Sequence, residues 1–152
     1  MSNILVIGST GMVGSRIVNE AVRRGHTVTA ASRSGKPVDG AARAIAVELG
    51  DTDAVAKLIE APNTDVTIIA VSPDRTGGST QPLVNAHKKL IDRGVKGRVL
   101  IVGGAGSLQR EDSSLLVDSP ELPEEYKAEA QAFVEILNLY RNSDLTWTML
   151  SP

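Results

Sequence analysis

Gly8-Ser9-Thr10-Gly11-Met12-Val13-Gly14 is the segment whose residue types and spacing could most directly do chemistry. It follows the apolar run Ile4 to Ile7 and opens a stretch with helical periodicity, so it reads as a strand–turn–helix junction. At such a junction one glycine makes the tight turn. A second lets the backbone approach a pyrophosphate that any Cβ would strike, and a third lets the helix pack closely on the sheet. Gly8, Gly11 and Gly14 stand in those places. Ser9, Thr10, Met12 and Val13 fill the positions between them, and the free N–H groups of the first helical turn would face the phosphates. The spacing is GxxGxxG rather than GxGxxG. Its weight therefore comes from its place between a clear strand and a clear helix, and the competing reading is a glycine-rich turn with no ligand.

Arg33 ends the second apolar run. An acidic residue there would bind the ribose 2′-hydroxyl of NAD, whereas an Arg accommodates the 2′-phosphate of NADP. Only Ser32, Arg33 and Ser34 stand at this point, and a guanidinium fork matches a phosphate in shape and charge. NADP(H) is therefore expected over NAD(H), the alternative being a solvated surface Arg. Asp51 follows the third run and doubles as a helix N-cap, with its carboxylate near the adenine edge. Val71 and Ser72, ending the fourth run, and Gly103, ending the fifth, would line the cofactor trough. Val71 is also well suited to core packing.

These positions need a scaffold that brings strand ends together. Strands are expected at Ile4–Ile7, Thr27–Ala31, Ala44–Val47, Val66–Val71, Arg98–Val102 and Leu145–Leu150. Helices fall between them, the first carrying Val13, Ile17, Val18, Ala21 and Val22 on one face. The others span about 51–60, 81–93 and 123–142. Strict alternation of strand and helix predicts an α/β fold, a Rossmann-type doubly wound parallel sheet in the order 3-2-1-4-5-6 with helices on both faces. Residues 1–152 read as one domain. The chain stops at Ser151-Pro152 directly after the sixth strand, so a missing C-terminal segment on the substrate side is expected.

Composition narrows the partners. The chain has 152 residues, a net charge of −2 and no cysteine. No basic excess points to nucleic acid or an anionic membrane surface, and disulfides and thiolate chemistry are excluded. His26 and His87 are far apart in sequence, so no metal site is expected; His26 reads as a surface residue and His87 as half-buried packing. No apolar run approaches the roughly 18 residues of a membrane span. Met1-Ser2-Asn3 lacks a basic leader, and the expected location is cytoplasmic. Aromatics are only 3% of residues, so Val, Ile, Leu and Ala must build the core, and Trp147 is expected within it.

The glycine turn resembles the fingerprint of atypical short-chain dehydrogenase/reductases. Val102-Gly103-Gly104-Ala105-Gly106-Ser107-Leu108, Leu122-Pro123-Glu124-Glu125-Tyr126 and Trp147-Thr148-Met149-Leu150-Ser151-Pro152 are similar to segments of their NAD(P)H-binding, NmrA-like branch, and most of all to the NADH-flavin reductase group. The resemblance spans the chain and implies NAD(P)H binding, with reduction of a flavin or a small carbonyl compound.

Short-chain dehydrogenases use a Ser, a Tyr and a Lys four residues after the Tyr; the Lys lowers the pKa of the Tyr that protonates the carbonyl. Ser107 and Tyr126 are the counterparts here. Ala130 stands where the Lys would be, and Lys127 is adjacent to the Tyr, where helical neighbours do not face each other. Tyr126 also shares a face with Ala130, Phe133, Leu137 and Tyr140, which suits packing, and Ser107 could simply bond to nearby backbone. Hydride transfer between nicotinamide and flavin needs no such device, because the cofactors carry the chemistry. Two functions follow: an NADPH-dependent oxidoreductase acting on a small molecule, or a non-catalytic NmrA-like dinucleotide sensor that passes its state to a partner. The loop Asp74 to Thr80 would act as a lid or merely a connection.

Overall fold

The computed structural model describes residues 1–152. Six parallel strands form one sheet in the order β3-β2-β1-β4-β5-β6. They are β1 (Asn3–Ile7), β2 (Thr27–Ser32), β3 (Arg43–Ala46), β4 (Val66–Ile69), β5 (Arg98–Val102) and β6 (Thr146–Leu150). The helices are α1 (Met12–Arg23), α2 (Thr52–Ile59), α3 (Gln81–Arg93) and α4 (Glu124–Arg141). The doubly wound, Rossmann-type order matches the expectation. It arises because right-handed crossovers run outward from β1 in both directions.

Local signals set the helix ends. Asp51 caps α2, accepting a hydrogen bond from the Ala54 N–H at 3.4 Å. Gly94 ends α3 in the left-handed conformation at φ 68°, where a side chain would be strained. Glu124 and Glu125 open α4 and Arg141 closes it, each on the favourable end of the helix dipole.

The two faces are covered unequally. α2, α3 and α4 bury one face in a single large cluster around Leu5, Ile7, Ile69, Val99 and Ile101. On the other face α1 alone packs Val18 and Ala21 onto Val6 and Val28. Of the five apolar residues expected on the α1 face, Val13 departs: it is 41% exposed, because the first turn of α1 projects past the strand ends. Trp147 packs against the large cluster and against Tyr140, with ring centroids 5.8 Å apart.

His87 is fully buried rather than half-buried. Its Nδ1 lies 2.8 Å from the Tyr140 hydroxyl, and its Nε2 has no partner. Burial holds its pKa down to about 4, so it is neutral at neutral pH. His26 is half-buried and accepts the Ser2 N–H on Nδ1 at 3.0 Å. No cluster of His, Asp and Glu could hold a metal ion, and no helix is long and apolar enough to cross a membrane.

Candidate functional site

The register carries the chemistry-bearing residues to one edge. Ile7 pairs with Ala31 and with Ile69, Ile69 with Ile101, and Val102 with Leu150. The turns after these residues all open at the carboxyl end of the sheet, where ligands of such folds lie. The glycine turn, Arg33, Val71, Ser72, Gly103 and Ser107 therefore share one rim. Asp51 stands exposed at the outer end of that rim, beyond β3.

The glycine turn is pinned to β2, since the N–H groups of Gly8 and Ser9 both donate to the Ala31 carbonyl, at 2.9 and 3.1 Å. Gly8 has φ 88°, and a Cβ there would lie 2.3 Å from the Ala70 carbonyl oxygen and 3.2 Å from Val71 Cγ2. It is thus fixed by both its conformation and the closeness of β4. At Gly14 a Cβ would meet the Gly8 carbonyl oxygen at 1.9 Å, so only glycine allows α1 to sit this close. Gly11 differs: the nearest atom to an added Cβ is the Gly8 oxygen at 3.5 Å, an ordinary contact. Nothing in the chain itself excludes a side chain at Gly11, and its exposed backbone faces open space.

Two further features make this turn a cradle. α1 has no side-chain cap and no acidic residue in its first turn, so its leading amides keep their positive end unscreened. Ser9 is fully buried, and its Oγ has no hydrogen-bond partner. An unpartnered buried hydroxyl costs stability and commonly marks a place where a bound group supplies the partner. These observations fit a dinucleotide pyrophosphate.

Arg33 lies exposed beyond the end of β2 and makes no ion pair. Across from it, Asp74 accepts the Thr76 hydroxyl and N–H at 2.5 and 2.8 Å. Those bonds, chiefly, with a contribution from the Arg33 charge, hold the Asp74 carboxyl below its usual range. β4 ends at Ile69, so Val71 and Ser72 stand in the loop rather than in the strand. Val71 is half-buried against the core.

Ser107 ends a short 3-10 turn, Ala105–Ser107, inside a stretch expected to be irregular. Its Oγ donates to the Gly104 carbonyl at 3.3 Å and lies 3.0 Å from Ser151 Oγ. Ser151 escaped sequence reasoning. Its signal was its place directly after β6, on the same rim. Next to this pair opens a cavity of about 660 Å³ between the loop after β4, the 3-10 turn and the start of α4. Tyr126 lines it and is 54% exposed. Its expected packing role is therefore corrected: core burial on α4 begins only at Ala132 and Phe133, because the first turns overhang the sheet. Lys127 does not serve Tyr126, since its Nζ pairs with Glu124 at 3.1 Å. Arg75 and Glu129 were also missed. Arg75 Nε and Nη2 donate to both Glu129 carboxylate oxygens at 3.0 and 2.8 Å, tying the loop to α4 across the cavity wall. Only the fold brings these two residues, 54 positions apart, together.

The model of the NAD(P)H-binding family matches residues 8–152. The uncharacterized Bacillus subtilis protein YwnB is 35% identical over 153 residues, spanning 97% of this chain and 70% of that protein. A solved Burkholderia pseudomallei structure, provisionally described as an exported protein, is 39% identical with a TM-score of 0.80, covering 100% of this chain and 72% of that one. A Streptococcus pneumoniae structure, provisionally assigned as an NADH-flavin reductase, is 35% identical with a TM-score of 0.76, again covering 100% and 72%.

Proposed function

The chain belongs to the NAD(P)H-binding family, and from that premise we propose that it is an oxidoreductase using NADP(H) in preference to NAD(H), with a flavin or a small carbonyl compound as its second substrate. Residues Gly8 to Gly14 and the amides opening α1 hold the pyrophosphate, with Ser9 Oγ gaining the partner it lacks. The Arg33 fork takes the 2′-phosphate. Asp51 stands toward the adenine edge, and Val71, Ser72 and Gly103 wall the trough. When bound, NADPH would supply the hydride. The Ser107 hydroxyl, held between Ser151 and the Gly104 carbonyl, contacts the nicotinamide or the substrate.

The observation that carries this reading is the open space before Gly11, beside the unpartnered Ser9 hydroxyl and the uncapped α1. The test is consumption of NADPH by the purified protein with riboflavin as acceptor. The expected result is turnover above the uncatalysed rate, reduced by Ser107→Ala. Tight NADPH binding without turnover would instead favour the sensor reading. The diversion of Lys127 to Glu124, and Ala130 four residues after Tyr126, support that second reading, because Tyr126 then has no Lys to lower its pKa.

A further inference from the structure

We propose that the cavity between the β4 loop and α4 binds an uncharged, ring-sized organic molecule and turns away one that carries a phosphate. The proposal rests on the oxidoreductase reading only in calling that molecule the substrate. A volume of about 660 Å³ falls in the range of small-molecule sites. Phe133, Tyr126, Leu122 and Pro73 give it flat and apolar wall. Its charged lining consists of Asp74, Glu125 and Glu129 against Arg75 alone.

That single cation is already engaged, because Glu129 takes two of its guanidinium nitrogens. Asp74 stays ionised, being held by the Thr76 hydroxyl and amide. Glu125 is exposed at the cavity and has no cationic partner. Lys127, the other cation on this part of α4, is bound to Glu124 and lies outside the wall. Arg33, whose charge is felt at Asp74, is not among the lining residues. An entering phosphate would thus meet a surplus of carboxylates and no unpaired cation, whereas a neutral ring meets apolar wall and polar groups that carry no charge, such as the Tyr126 and Thr80 hydroxyls.

Riboflavin and FMN differ by one phosphate and so isolate the charge. Their affinities are measured by quenching of flavin fluorescence, with and without NADP+, at low and high salt. Riboflavin should bind at least about tenfold more tightly than FMN, with the gap narrowing as salt screens the carboxylates. Glu125→Gln should also narrow it and leave NADP+ affinity, read by calorimetry, unchanged. FMN binding as tightly as riboflavin, a gap indifferent to both salt and Glu125→Gln, or no riboflavin binding would each overturn the proposal. No turnover is needed for this readout. Loss of charge selection with NADP+ still bound would refute the cavity assignment alone, whereas failure of NADP+ to bind would refute the oxidoreductase reading and leave the flavin comparison valid.

Discussion

At Gly11 a methyl group would meet no protein atom closer than 3.5 Å, whereas at Gly14 it would strike the Gly8 carbonyl oxygen at 1.9 Å. The two glycines therefore predict opposite phenotypes. Gly11→Ala should change stability by no more than about 1 kcal/mol, the scale of an N-cap substitution, and weaken NADPH binding at least about tenfold. Gly14→Ala should lower stability by about 1–3 kcal/mol or more, as overpacking does. Thermal melts and NADPH titration of both variants check the pair; similar melts for the two would contradict the geometry. Arg33→Ala should weaken NADPH roughly tenfold or more, the loss of hydrogen bonds between charged groups, and leave NADH unchanged. At this scale the glycine turn, Arg33 and Ser107 were legible because each stands at a fixed offset from a strand end. Ser151, Arg75, Glu125 and Glu129 were not, since their partners are set by tertiary contact rather than by sequence distance.

Element types followed from periodicity, and their ends shifted by a residue or two. β4 stops at Ile69, not Val71: the Ala70 N–H still donates to the Ile7 carbonyl at 2.8 Å, but beyond Ile7 the chain of β1 turns off at Gly8 and offers no further strand to pair with. α4 reads as one apolar face from Tyr126 to Tyr140, yet only its later turns lie over the sheet. Periodicity reports which residues share a face; what that face meets is decided by where the helix begins relative to the strands. The loop after β4 is tied to α4 by the Arg75–Glu129 pair, whose Arg is 61% exposed and so adds only about 0.2–1 kcal/mol. Arg75→Ala should leave the melting temperature nearly unchanged and speed hydrogen exchange in residues 73–80 without affecting the buried turns of α4. Unchanged exchange in that loop would show that the pair does not restrain it.

The sheet order was legible for the whole molecule, because alternating elements and right-handed crossovers leave few topologies. The buried polar pair beneath it was not, since a His on an apolar helix face gives no sign of how deeply it lies. Neutral His87 couples global stability to acid. Its pKa of about 4 in the folded state lies below the value of 6.5 it has when exposed, so the unfolded chain binds more protons between those limits. Stability from this residue is complete above about pH 6.5 and is lost progressively toward pH 4, by roughly 3 kcal/mol at most. His87→Gln, which keeps a polar partner for Tyr140, should flatten that part of the melting profile, and an unchanged slope would mean that His87 is not the group responsible. The same sheet brings the glycine turn and Arg33 to one carboxyl rim, so cofactor choice is read most directly by binding. Calorimetric titration with NADPH and with NADH is that measurement. Saturable binding of NADPH with clearly weaker NADH is the predicted result; no binding of either, or a preference for NADH, would contradict the assignment of the glycine turn and Arg33 as an NADP(H) site.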